Sequence, residues 1–276
     1  MAATAEQGSA LKREQKARRD AGTDAPFLSP RAVASEAGLV TAGGLRTKEG
    51  ATLDPYRACL GLAASAAQRG ARNCERSAVN KVTFTRKWVD VITAAGTIRA
   101  DAVVVATGVP TPLFKSLARH FWFRTRYLAL TAPVPARIRQ RLGRRASVIR
   151  DRHDPPHLIR WVEGERLLVS GADVETGADK LRDKLLVQRT GQLMYELSTM
   201  YPDVSGIQPA CGWDAAYART ADGLPYMGPH RNFPRHLFAF GDASHSMTGA
   251  YLASRILLRA YLDEADRADA AFSFTR

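Results

Sequence analysis

The stretch "HLFAFGDASHSMTGAYLASRILLRAYL" (236–262) gathers residues able to do chemistry. A short apolar run, Leu237 to Phe240, stops at Gly241-Asp242, and a second apolar pattern with helical spacing begins a few residues on. Between them Ser244, His245, Ser246 and Thr248, flanking Met247, can donate hydrogen bonds to a carbonyl or nitrogen edge. Gly241 and Gly249 carry no Cβ, so the backbone there can approach a planar ligand. A helix N-terminus offers free N–H groups and a positive dipole, which suits phosphates and flavin rings alike. Asp242 reads equally well as an ordinary helix cap, and His245 as a surface-loop histidine.

The elements that must position these residues can be read along the chain. Helical patterns occupy 10–19 and 29–38, the second with Ser29 as cap, Pro30 at the first position and Gly38 as stop. A third starts at Asp54-Pro55, with Leu60, Ala63 and Ala67 recurring on one face. Strand patterns follow at 79–86, 88–96 and 97–108, with Gly96 as the turn of a hairpin between the last two. The unbroken run "DAVVVATG" (101–108) predicts a parallel strand buried on both faces. "FRTRYLALTAP", "SVIRDR", "HLIRWVEG" and "RLLVSGAD" alternate, as an antiparallel sheet with one wet face does; Tyr127, His157 and Arg160 lie on these strands. By the period of two, His157, Ile159 and Trp161 share one face while Leu158 and Arg160 share the other. A long helix covers 179–200, with Leu185, Leu186, Leu193 and Met194 among its core positions. Pieces of a parallel sheet thus flank an antiparallel block, which implies two domains interleaved in sequence.

Composition narrows the function classes. The chain has 276 residues, 45% of them hydrophobic, enough for a sizeable core, and its apolar runs are far shorter than the ~18 residues of a membrane span. Three scattered cysteines (Cys59, Cys74, Cys211) without a CxxC spacing argue against a disulfide framework or a zinc site, and for a reducing, cytoplasmic setting. No metal site is expected. The net charge of +13 is concentrated between residues 119 and 160, where eleven arginines face two acids. That density allows a basic protein binding an acidic partner or nucleic acid, but the arginines interleave with strand-like sequence and form no nucleic-acid motif, so nucleic acid is disfavoured.

Three stretches together resemble the D-amino acid oxidase-like family of FAD-dependent oxidoreductases, the relatives of glycine and sarcosine oxidase. They are "ERSAVNKVTF…ITAAGTIRADAVVVATG" (75–108), "GWDAAYARTADGLPYMGP" (212–229) and "HLFAFGDASHSMTGAYLASRIL" (236–257). "TxDGLPYxGP" followed by the last strand and helix is the specific part. The resemblance implies an α/β plus α+β fold, a Rossmann-type FAD-binding domain interleaved with an antiparallel substrate domain. The FAD-binding part would span 1–118 and 206–276, and the substrate part 119–205. FAD is the implied cofactor, with Val79 at the adenine, Ala106, Thr107 and Gly108 near the pyrophosphate and ribityl chain, and Gly241, Asp242, Ser244, Ser246, Met247 and Thr248 along the flavin. The implied activity is oxidation of a C–N bond in a small-molecule amine or amino acid, with hydride passing to the flavin.

Several departures from the family pattern shape that expectation. The strand–GxGxxG–helix unit has no match, so the FAD-binding domain is expected to be partial. The alternatives are a non-catalytic fragment, or one half of a split flavoprotein that needs a chain supplying the nucleotide-binding unit. "ASHS" (243–246) stands where the family often has "GGNG", and Tyr217 where amino-acid-oxidising relatives often carry an arginine for the substrate carboxylate. His245 and Tyr217 are therefore the candidate catalytic side chains. Trp161, Trp213 and Arg219, the last sharing a strand face with Tyr217, are the candidate pocket residues.

Overall fold

A computed structural model describes residues 1–47, 50–144, 146–177, 179–241 and 246–276, the side chains of 179 and 246 excepted. In chain order the elements are α1 (Ala5–Asp20), β1 (Phe27–Leu28), α2 (Pro30–Ala37), β2 (Gly44–Leu45), α3 (Pro55–Gln68), β3 (Val79–Phe84), β4 (Val89–Thr93), β5 (Gly96–Ala100) and β6 (Val103–Gly108). Then come β7 (Trp122–Thr131), α4 (Ala136–Arg139), β8 (Val148–Arg150), β9 (Leu158–Val162), β10 (Arg166–Glu175) and α5 (Arg182–Met200). The chain closes with β11 (Pro209–Arg219), β12 (Tyr226–His230), β13 (Phe233–Phe240) and α6 (Ser246–Leu262). Two compact units result, Met1–Thr52 with Thr125–Ala216, and Leu53–Arg124 with Tyr217–Arg276. Among the described residues no helix is long and apolar enough to cross a membrane.

The first unit is built on a five-stranded sheet in the order β11-β7-β10-β9-β8. One face packs on α5: Tyr127, Ala129, Ile159, Leu167 and Val169 join Leu193 and Leu197 in one buried cluster, with Trp161 against it. Alternation therefore sends Leu158 and Arg160 to the face away from α5. The N-terminal segment belongs to this unit because α2 buries Val33 and Ala37 in the same cluster, and the Tyr201 hydroxyl donates to the Ala37 carbonyl at 2.7 Å. The caps of α2 are those its sequence demands, Ser29 accepting from the Ala32 amide and Gly38 closing the helix in the left-handed region. On the face of β7 and β10 away from α5, Arg126 bonds Asp173 through two nitrogens, at 3.0 and 2.9 Å. Other arginines of the basic segment are paired as well, Arg139 with Glu165 and Arg152 with Glu14.

The second unit holds two three-stranded sheets, β12-β13-β6 and β3-β4-β5. β13 runs parallel to β6 and antiparallel to β12. On one face Val105, Phe238 and Phe240 pack with Phe114, Leu117 and Phe121; on the other Met227 and Ala239 meet Ala253 and Ile256 of α6. Two expectations are corrected here. The hairpin at Gly96 forms between β4 and β5, but the expected strand 97–108 breaks after Ala100, and its second half, β6, joins the other sheet. β6 is parallel, as its sequence requires, yet it is an edge strand not buried on both faces: Val105 is buried while Val104 is 55% exposed. Helix α3 forms where Asp54 caps it, as its sequence predicts, and none of its residues is buried. The physical reason is that, among the described residues, β6 pairs with β13 alone and stands at the edge of its sheet.

One buried polar group of the first unit gives a measurable property. His157 sits between two carboxylates, its Nδ1 2.6 Å from Asp151 Oδ2 and its Nε2 2.9 Å from Glu196 Oε2. Burial opposes charge on the ring, but hydrogen bonding and attraction from Asp151 and then Glu196 outweigh it and raise its pKa above the usual imidazole value. A raised folded-state pKa contributes stability that is fully present below the ordinary value of about 6.5 and lost as pH rises through the folded value. The contribution of His157 to the urea midpoint should thus fall as pH is taken from about 6 to 9, against opposite contributions from the Met1 amine, His120, His230 and His236, whose pKa values burial lowers. His157→Gln should remove that slope and cost about 1–3 kcal/mol at the acid end.

Candidate functional site

The parallel pair β6–β13 sets the geometry. In register, Phe238 lies beside Val105 and Phe240 beside Gly108, so both strands end at one level. There the Gly241 amide donates to the Gly108 carbonyl at 2.9 Å. Both glycines have positive φ, +73° at Gly108 and +86° at Gly241, which turns the chain sharply out of the sheet in a conformation that is strained for a residue with a Cβ. Their surroundings differ. A Cβ on Gly108 would meet nothing within 4 Å, whereas one on Gly241 would lie 2.8 Å from the Phe121 ring and 3.0 Å from the Thr220 methyl. The Thr107 hydroxyl donates to the Val109 carbonyl at 2.8 Å, fixing the chain just beyond β6. Beyond Gly241, α6 begins at Ser246 and packs on β12 and β13. The carboxyl ends of parallel strands, with a helix following, are where open α/β sheets bind ligands.

The sequence-derived candidates fall as follows. Ala106, Thr107 and Gly108 are exposed at the end of β6, and Val79 is exposed at the start of β3, in the neighbouring sheet. Gly241 is buried, and Met247 and Thr248 are exposed in the first turn of α6. Asp242, Ser244 and His245 lie outside the described residues, as does the Ser246 side chain. Trp213, Tyr217 and Arg219 stand on β11; Trp213 is 39% exposed and Tyr217 half-buried. Gly212 and Asp214 face α5, the first against Thr190 and the second bonded to Arg182 at 2.8 Å, so Trp213 points to the opposite face. Trp161 lies on the α5 face, so the structure does not bring Trp161 and Trp213 together. Among the described residues no group of His, Cys, Asp or Glu is placed to hold a metal.

Two features escaped sequence reasoning. The Arg126–Asp173 pair, with the Asp173 side chain fully buried, anchors the face opposite α5. The alternation Arg124-Thr125-Arg126-Tyr127 marks one partner, but the other is hidden by the irregularity at Gly171-Ala172, where Ala172 takes φ +51° and shifts the face that follows. The second feature is Arg276, which binds the "DGLPY" turn from far along the sequence.

The family model described as DAO, FAD dependent oxidoreductase, matches residues 1–260. The chain belongs to the DAO family of FAD-dependent oxidoreductases. A probable oxidoreductase of Haemophilus influenzae, OrdL, is 24% identical over 230 residues, covering 82% of this chain and 51% of the relative. A D-amino acid dehydrogenase of Bradyrhizobium diazoefficiens is 28% identical over 203 residues, covering 71% of this chain and 45% of the relative. The chain thus spans about half the length of the curated relatives it matches. Among solved structures, glycine oxidase from Geobacillus kaustophilus superposes with a TM-score of 0.81 at 20% identity, over all of this chain and 73% of that one. The chain has the fold of the DAO family, mixed α/β with antiparallel sheets.

The two glycines of the DAO strand ends make separable predictions. Gly108→Ala meets only the left-handed backbone and should cost about 1–2 kcal/mol. Gly241→Ala adds a clash with Phe121 and should cost about 1–3 kcal/mol more. Thermal or urea unfolding of the two variants checks the order.

Proposed function

We propose that the chain works in an FAD-dependent oxidoreductase that oxidises a C–N bond of a small amine or amino acid to an imine, which water then hydrolyses. The observation that carries this reading is the level termination of β6 and β13 at Gly108 and Gly241, with α6 following. The residues fit the cofactor: the space beside Gly108 is open, and Val79, Ala106 and Thr107 are exposed. When bound, the flavin supplies the two-electron acceptor. Gly108 and Gly241 would let the backbone approach it, and Met247 and Thr248, at the start of α6, would lie along it with His245. Trp213 offers an apolar wall for substrate, and Arg160, on the same face of the sheet, a guanidinium suited to a carboxylate. Tyr217 cannot replace a guanidinium in that task, which favours substrates held mainly by apolar contact, with Arg219, on the same strand face, as an available guanidinium. The names of the dehydrogenase and oxidase relatives agree with a substrate of this class.

The test is a visible spectrum of the purified chain after incubation with FAD and desalting, followed by anaerobic addition of amines and amino acids. Retained flavin bands that bleach with one of these substrates are the expected result. Bands that no such substrate bleaches would overturn the reading, and a colourless chain would overturn it for this chain acting alone.

A second reading is supported by β6 and α3. A parallel edge strand with Val104 exposed, and a helix exposing Tyr56, Leu60 and Leu62, are surfaces that parallel sheets ordinarily cover on both faces. We infer that a polypeptide carrying a strand–GxGxxG–helix unit pairs along β6 and brings phosphate-binding amides to the cofactor. Co-expression with such a segment should give one complex that retains more FAD than the chain alone. Separate elution of the two would dismiss this reading.

A further inference from the structure

The "TxDGLPYxGP" motif (220–229) has the side chain of Arg276 as a structural partner. That guanidinium is 15% exposed. Its Nε donates to Asp222 Oδ2 at 2.8 Å, its Nη1 to the Pro225 carbonyl at 2.9 Å, and its Nη2 to the Leu224 carbonyl at 2.6 Å. Its Cζ lies 3.8 Å from the centre of the Tyr226 ring, which Phe274 stacks at 5.0 Å. Only a planar fork satisfies two carbonyls and a carboxylate while stacking on a ring. The Arg276 hydrogen bond, foremost, holds the Asp222 carboxyl below the usual carboxylate range.

Two paths of direct contact lead from this clamp to Gly241. The Thr220 hydroxyl donates to the same Leu224 carbonyl at 2.8 Å, and the Thr220 methyl borders Gly241. Tyr226, opposite Phe240 in the β12–β13 ladder, meets Phe121 edge-on at 5.5 Å, and Phe121 is the other wall of Gly241. We infer that Arg276 is a positioning residue: it fixes the 220–226 turn so that Thr220 and Phe121 hold the Gly241 strand end against Gly108. The bearing of this clamp on flavin affinity rests on the function proposed above; the clamp itself does not.

The test is amide hydrogen exchange on the full chain, comparing wild type with Arg276→Gln, Arg276→Lys and Thr220→Val, with FAD affinity measured in parallel. Arg276→Gln should speed exchange of the Gly241 amide about tenfold, the factor expected for losing charge-assisted hydrogen bonds, and leave the amides of Leu167 and Val169 unchanged. Arg276→Lys should not restore protection, because an ammonium cannot serve both carbonyls and the carboxylate. Thr220→Val, which keeps the methyl and removes the hydroxyl, should reproduce part of the effect and serves if the arginine variants do not fold. FAD affinity should fall by a similar factor. Unchanged Gly241 exchange in Arg276→Gln, or in Thr220→Val should that variant stand alone, would overturn the inference. Faster exchange in a chain that never holds FAD would sustain the clamp and remove the flavin reading instead.

Discussion

The hydrogen bond from the Gly241 amide to the Gly108 carbonyl is the point on which the second unit turns. It ends two parallel strands at one level and sends both chains out of the sheet through left-handed glycines. Each requirement constrains the others. The parallel pairing needs apolar layers, which Phe114, Leu117 and Phe121 supply on one side and α6 on the other. The exit at Gly241 needs the absence of a side chain, because Phe121 and Thr220 occupy the space one would fill. The walls in turn depend on the turn that Arg276 clamps. The placing of these strand ends therefore draws its precision from the side chains that wall them.

The first unit has a different logic. Its sheet is held to α5 by a large apolar cluster, and the buried charged groups on its two faces are satisfied by partners. His157 is matched by Asp151 and Glu196, and Arg126 by Asp173. The face toward α5 is thus committed to packing, and the face carrying Arg160 and Trp213 is the one free to take a chemical role. The basic character of residues 119–160 is partly absorbed by such pairs, which lowers the case for a nucleic-acid surface.

Much of this was legible in the sequence, for local reasons. The caps of α2 and α3, the turn at Gly96 and the parallel pairing of "VVVATG" follow from rules confined to a few residues. The family followed from the order of three motifs. What was not legible depends on contacts distant in sequence. Burial of β6 was misjudged because an apolar pattern states what a surface prefers, not what covers it. The packing of the N-terminal segment with the antiparallel sheet rests on Tyr201 meeting Ala37, and no local pattern records such a contact. The face on which Trp161 lies could be narrowed to two by alternation but not chosen, since the choice is made by α5. Arg276 gave no signal at all, because its role exists only once the turn at Asp222 has folded.

The central claim is that the strand ends at Gly108 and Gly241 are the surface that meets the cofactor. Amide exchange of the full chain with and without added FAD tests it most directly. The account predicts that FAD slows exchange at residues 106–109 and 240–249 and leaves the arginine-rich segment 137–152 unaffected. Binding with protection confined to that basic segment, and none at the strand ends, would contradict it.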